Sequence, residues 1–228
     1  KEAKSINRLK IYIDFKKPRG GLCIEIVQEV YTSQGYELHV ENAPWARALM
    51  LVKEGHYDIL PNAWLSQERT QFLAYSTPYA KVRVKVVKKK GDVFEYTGIQ
   101  CLSKKRVGIV RGADYGTEFT NAIDISKEEG TNMIQNTKKL IAGRIDLILE
   151  DQIGLVTTLL EKAPTLLRDI EFETTPFSNN ELYVACGLGN PRCQKLIETF
   201  NRGLEQIKAN GTYRAILSRY GLKEGSIQ

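Results

Sequence analysis

The chain has 228 residues, enough for one large domain or two small ones, and either size can bury a real core. Its composition carries no disorder or low-complexity signature, and no apolar run approaches the ~20 residues of a membrane-spanning helix. The net charge of +6, from 33 basic and 27 acidic side chains, is modest and dispersed, and no nucleic-acid partner is expected. The densest run, Lys88-Lys89-Lys90, reads as a solvated strand end.

In chain order, Leu9 to Ile13 alternates and predicts a first strand. Asp14 to Gly21 reads as a loop. Ile24, Val27 and Val30-Tyr31 have helical spacing, ended by Gly35. Tyr36, Leu38 and Val40 predict a second strand. Pro44 to Lys53 predicts a helix with Pro44 near its start, facing the core with Ala48, Leu49 and Val52. Ile59-Leu60 opens a third strand that is expected to break at Pro61-Asn62. A short helix carrying Arg69 follows, with Phe72 and Leu73 available for its inner face. Val82 to Lys88 predicts a strand.

After Gly91 the plan restarts. Arg106 to Val110 predicts a strand, Thr117 to Asn121 a short helix and Thr131 to Ala142 a longer one. Ile145 to Leu149 and Gln152 to Lys162 predict the next strand and helix. Glu181 to Gly187 reads as a returning strand. Leu196, Ile197, Phe200, Leu204 and Ile207 stripe a long helix, and Tyr213, Ile216, Leu217 and Tyr220 a last one. Strand–helix alternation of this kind argues for an α/β fold with parallel pairing and crossover helices. The blocks GHYDILPNA (55–63) and GRIDLILED (143–151) share a plan: a glycine, an Asp entering a buried strand, then polar residues at its carboxyl end. Two such units predict two lobes.

Ligands of open α/β sheets sit outside the carboxyl ends of the strands. Three such ends carry polar chemistry here: Asn62 to Arg69, Arg111 to Tyr115, and Glu150-Asp151. If the lobes face each other, the three converge on one cleft. The planar fork of Arg69 suits a carboxylate in a bidentate way, although an ordinary surface arginine fits the local sequence as well. Asp151 suits an ammonium group or, equally, a helix N-cap. The turn GADYG (112–116) offers backbone N–H groups to an anion or is a plain tight turn, and Asp114 within it would repel a carboxylate. Trp45, Trp64 and Phe15 are core or wall candidates. There is no Walker loop, GxGxxG, HExxH or GxSxG, so neither a cofactor nor a metal is expected.

Four cysteines lack the CxxC spacing of a zinc site. Cys186 and Cys193 flank the turn-rich GLGNPR, and a disulfide between them is expected if the protein is exported. Cys23 and Cys101 are expected to stay reduced. The first residue is Lys1 rather than Met, which fits a mature form whose signal peptide has been removed.

The ordered set GGLCIEIVQEV, PWARAL, EGHYDILPNAW, ERTQFLAYSTPY, KRVGIVRGADYG, AGRIDLILED and FNRGLEQIKANGTYRAILSRYG resembles the family-three bacterial extracellular solute-binding proteins. These are periplasmic receptors that serve ABC importers. The resemblance spans nearly the whole chain and implies a two-lobed, type II periplasmic-binding-protein-like fold with two strand crossovers. It places residues 1–86 and 187–228 in one lobe and 87–186 in the other. It implies a monomeric, exported, non-enzymatic receptor that closes on an amino acid or similar small polar solute and passes it to ABC transporter membrane subunits. By position, Arg69 matches the arginine that clamps an α-carboxylate and Asp151 the acid that holds the α-ammonium. Asn62, Ala63 and Trp64 match the strand-end contact segment, and Phe15 the aromatic clamp after the first strand. Arg111, Gly112, Ala113, Asp114 and Tyr115 cover the carboxylate-binding loop of the second lobe. Two departures stand out. Trp64 replaces the usual Ser or Thr, and Ala113-Asp114 lacks the usual hydroxyl. Two alternatives stay open: a cyclohexadienyl-dehydratase-like enzyme using Glu150 or Asp151 as its acid, and the sensor module of a larger membrane receptor.

Overall fold

The apolar periodicities fold into alternating strands and helices in the computed structural model, which describes residues 7–13, 21–220 and 222. Strand β1 (Asn7–Ile13) pairs in parallel with β2 (Tyr36–Asn42), and α1 (Gly21–Ser33) connects them. Helix α2 (Trp45–Lys53) follows, with Pro44 capping it from outside rather than lying within its first turn. Then come β3 (Leu60–Ala63), β4 (Leu73–Tyr75) and β5 (Ala80–Lys89). The next stretch holds β6 (Arg106–Val110), α3 (Thr117–Asn121), β7 (Ser126–Gly130) and α4 (Met133–Ile141). Strand β8 (Leu147–Asp151), α5 (Gln152–Lys162) and β9 (Ile170–Gly187) precede the closing helices α6 (Cys193–Ala209) and α7 (Thr212–Arg219).

The chain divides into two compact units, Lys1–Lys81 with Glu181–Gln228, and Val82–Asn180. It leaves the first unit within β5 and re-enters it within β9, so two long strands carry both crossings.

In the first unit, β3 and β4 both pair antiparallel with the last residues of β9. The expected break at Pro61-Asn62 does not occur, and β3 runs through to Ala63. Proline lacks a donor, but the register shifts between Leu60↔Ala185 and Ala63↔Tyr183, so Pro61 falls in an irregular stretch of the ladder. Ala43, Ala48, Val52, Leu60, Ala63, Leu73 and Ala185 form a core cluster under α2. A second set of contacts joins α1 to the carboxyl-terminal helices. The Tyr31 hydroxyl donates to the Leu196 carbonyl at 3.1 Å, and the Tyr31 and Tyr79 rings each pack on Phe200. The Tyr213 hydroxyl donates to the Tyr79 carbonyl. Burying an aromatic with its hydroxyl satisfied gains apolar contact without an orphaned polar atom.

Cys186 and Cys193 are joined by a disulfide, with Cα atoms 5.6 Å apart, that links the end of β9 to the start of α6. Cys23 and Cys101 are in the reduced state. The buried Asp58 accepts hydrogen bonds from Asn190 and Arg192 inside the disulfide loop. Gly187 opens that loop against α2. A Cβ there would stand 2.2 Å from the Val52 carbonyl oxygen, and backbone cannot swing aside. Gly187→Ala is therefore expected to cost ~1–3 kcal/mol by overpacking, read as a lower denaturation midpoint in urea.

In the second unit the strands run β5-β8-β6-β7. β5 is antiparallel to β8, and β8, β6 and β7 are mutually parallel along the ladder. Val87, Leu140, Ile145, Ile148, Leu155, Leu159 and Ile170 bury its core between the sheet and α4–α5. Strand β7 and the first half of β9 are elements that apolar alternation did not predict. The predicted strand at Ile145 also starts two residues later, at Leu147.

Candidate functional site

The first unit builds its polar strand end on β3. Asn62 is half-buried, Ala63 is buried, and Trp64 is half-buried beyond the strand. Arg69 does not lie on an α-helix as expected. It opens a three-residue 3₁₀ turn, Arg69–Gln71, between β3 and β4. The turn is fixed by its backbone: Arg69 N–H donates to the Ser66 carbonyl at 3.0 Å, and Phe72 N–H donates to the Arg69 carbonyl at 3.0 Å. The next strand, β4, is locked to β9, and Leu188 N–H donates to the Phe72 carbonyl. Arg69 is only 8% exposed, which an ordinary surface arginine would not be. Its guanidinium carbon lies 5.7 Å from the ring centre of Trp45, the first residue of α2. That contact joins residues far apart in sequence, and sequence reasoning left Trp45 as a plain core or wall residue. The pattern PWARAL was the available signal. Phe15 lies outside the described residues.

The second unit presents two strand ends. After β6, Ala113 N–H donates back to the Val110 carbonyl, and Asp114 Oδ1 accepts from Gly116 N–H at 2.8 Å. The loop is thus a side-chain-closed turn, and the Asp114 carboxylate serves its own backbone. Tyr115 is buried, and its hydroxyl accepts the Val110 N–H at 3.0 Å. Burial, then the negative charge of Glu150, push its phenol well above the usual tyrosine range. Arg111 is exposed and turned onto Glu129 of β7, with Nε donating to Oε2 at 2.9 Å. Exposed pairs of this kind contribute little to stability. Gly112 is exposed in the turn. Helix α3 has five residues, too few for the anion-binding helix start that the sequence left open.

Asp151 ends β8 and caps α5. Its carboxylate accepts from Ile153 N–H at 3.2 Å and from Gly154 N–H at 2.9 Å. Desolvation by burial pushes this carboxyl up to about 6, while the two backbone hydrogen bonds pull it down. The close seat depends on Gly154, because a Cβ there would stand 2.7 Å from Asp151 Oδ2. The N-cap geometry does not exhaust a carboxylate, which has about four acceptor sites. Glu150, one residue earlier, is buried at 4% exposure and sits opposite Lys85 in the β5–β8 ladder. Lys85 is also buried, with Nζ donating to the backbone carbonyls of Glu173 and Thr174.

Taken by unit, the structure collects Asn62, Ala63, Trp64 and Arg69 at one strand end, and Ala113, Asp114, Tyr115, Glu150 and Asp151 at neighbouring strand ends of the parallel β6–β8 pair. Among the described residues no group of three or more His, Cys, Asp or Glu side chains is placed to hold a metal ion. No described helix is long and apolar enough to cross a membrane.

Residues 10–223 match the model for bacterial extracellular solute-binding proteins, family 3. The L-cystine-binding protein TcyJ of Escherichia coli K12 is 24% identical over 205 residues, covering 88% of this chain and 73% of that protein. An ancestral arginine-binding protein bound to arginine superposes with a TM-score of 0.80 at 20% identity, covering 93% of this chain and 97% of its own. A histidine kinase sensor domain with similarity to periplasmic binding proteins superposes with a TM-score of 0.83 at 16% identity, covering 97% and 100%. These likenesses establish a periplasmic-binding-protein-like α/β fold.

Proposed function

This chain belongs to the bacterial extracellular solute-binding proteins of family 3, and from that membership we propose that it is a periplasmic receptor of an ABC importer whose solute is an amino acid or a close analogue. In this reading one solute gives its carboxylate to Arg69 and its ammonium to Asp151. The observation that carries it is the state of Arg69: a buried arginine, on a turn fixed by its own backbone, at the end of a strand. Desolvating a zwitterion requires pairing both of its charges, and an arginine fork with a half-buried aspartate supplies both partners. Relatives and fold neighbours named for cystine and arginine support the ligand class.

A thermal-shift screen of amino acids, amines and small carboxylates tests the reading. At a hundredfold excess over Kd the linkage term is ~2.7 kcal/mol, or ~5–10 °C for a chain of this size. A flat response across all three classes would remove the receptor role. The protein works by capture and not by turnover, so prephenate and arogenate should survive incubation unchanged. Of the two acids an enzyme could use, Glu150 is buried opposite Lys85 and Asp151 caps α5. Loss of either compound would favour the dehydratase. A second reading, an extracytoplasmic sensor module, draws on the fold likeness to the histidine kinase sensor domain. Reading the full gene for a following membrane segment and kinase separates it from a free-standing receptor.

A further inference from the structure

The backbone of the Arg69 turn and the head of the Arg69 side chain are held by different parts of the first unit. The backbone is held by Ser66, by the bond from Leu188 to Phe72 and by the β4–β9 ladder. The head lies 5.7 Å from the indole centre of Trp45, which reaches it from α2. Trp45 is itself anchored. Its ring packs on the core cluster of Ala43, Ala48, Val52, Leu60, Ala63, Leu73 and Ala185, and the α2 start is fixed by Arg47 and Ala48 N–H groups donating to the Pro44 carbonyl.

We propose that Trp45 is a positioning residue that sets the selectivity of Arg69: its indole covers one face of the guanidinium and fixes the plane of the fork, so that the in-plane N–H donors meet a carboxylate bidentately. The proposal rests on the carboxylate reading of Arg69. The chemistry supports the division of labour. A guanidinium attracts an aromatic face through its own flat face, while all five of its donors lie in the plane, so stacking orients the group without consuming a hydrogen bond. An arginine side chain otherwise has many rotamers, and a fork that must be ordered on binding loses affinity to that ordering. A site with its fork already fixed discriminates a planar carboxylate from other anions and from a ligand that lacks one.

Two arms test this. The first needs no ligand. In ¹⁵N-labelled protein the Arg69 Nε–H proton of the wild type should resonate upfield of the other arginine Nε–H protons because of the indole ring current. It should keep that shift in Trp45→Phe and lose it in Trp45→Leu. The second arm titrates L-arginine and agmatine, its counterpart without the carboxylate, into wild type, Trp45→Leu, Trp45→Phe and Arg69→Ala. Trp45→Leu should weaken L-arginine roughly tenfold and leave agmatine unchanged, and Trp45→Phe should return L-arginine to within about threefold of wild type. Apo melting curves identify any variant that fails to fold, and Trp45→Phe keeps the test open if Trp45→Leu does. An Arg69 Nε–H signal indifferent to Trp45→Leu overturns the proposal. So does loss of L-arginine binding in Arg69→Ala with none in Trp45→Leu, and that pattern leaves the carboxylate reading intact. Wild-type affinity in Arg69→Ala overturns the carboxylate reading and the selectivity role together. If wild type itself takes up no L-arginine, arginine is not the solute and the ligand-free arm decides the positioning role.

Discussion

Arg69→Ala is expected to weaken solute binding by roughly thirtyfold to several thousandfold. The range follows from burial. Arg69 is 8% exposed, so a carboxylate that pairs with it leaves water to do so. Removing the guanidinium strands that carboxylate without a partner, a loss of ~2–5 kcal/mol for a desolvated charge pair. Arg69→Lys should recover only part of the loss, because an ammonium is a point charge and cannot present two parallel donors. The fold should tolerate both changes. The turn is held by backbone bonds through Ser66 and Phe72, which both changes leave in place. Calorimetric titration of the solute found in the screen, with apo melting curves as the folding control, reads the result. Wild-type affinity in Arg69→Ala would place the carboxylate elsewhere.

The legibility of that residue shows where sequence reasoning holds and where it stops. Strands with apolar alternation and striped helices were readable because burial imposes a period. Helix α6 buries Leu196, Ile197, Phe200, Leu204 and Ile207, the stripe visible in the sequence. Strand β7, with sequence SKEEG, was not readable, because it sits at the end of the sheet order, where one side of the ladder and much of its surface face solvent. The first half of β9, EFETTPFSNN, hides for a similar reason: it is polar and carries a proline, yet it is part of an 18-residue strand. Pro61 misled in the opposite direction, since an irregular ladder tolerates the missing donor. For the candidate site, residue type and strand-end position pointed to Arg69 and Asp151. The partners of the arginines were beyond reach. Trp45 meets Arg69 only through tertiary packing, and Arg111 is drawn to Glu129 by a strand the pattern did not predict. The two readings left open for Asp151 are not exclusive: the N-cap is observed, and the ammonium role is proposed on top of it.

Asp151→Asn is the complementary experiment, and its signature is a pH profile rather than a single loss. Burial holds the Asp151 carboxyl at about 6, so it is ionised at neutral pH and protonated a little below. An ammonium partner needs the ionised form. Wild-type affinity for an amino acid should therefore be constant well above pH 6 and fall below it, by at most roughly tenfold per pH unit for one linked proton. The bound ammonium favours the ionised carboxylate, so the fall should begin near the apo value and level off only below the lower value of the complex. Asp151→Asn should remove the pH dependence and weaken amines and zwitterions by ~2–5 kcal/mol, while sparing a simple carboxylate that relies on Arg69. The amide still caps α5, because its oxygen can accept from Gly154 N–H. Stability should move the other way. A carboxyl raised in the folded state contributes most below its unfolded value near 4, and that contribution disappears as pH rises through about 6. At pH 7.5 the apo variant should melt no lower than wild type while binding worse, as expected of a residue kept charged for its ligand at some expense of stability. Gly154→Ala probes the same carboxylate without changing its charge, since the new methyl would crowd Oδ2 from 2.7 Å and unseat it. A flat wild-type profile from pH 5 to 7.5, together with unchanged zwitterion affinity in Asp151→Asn, would mean that the ammonium is held by another group.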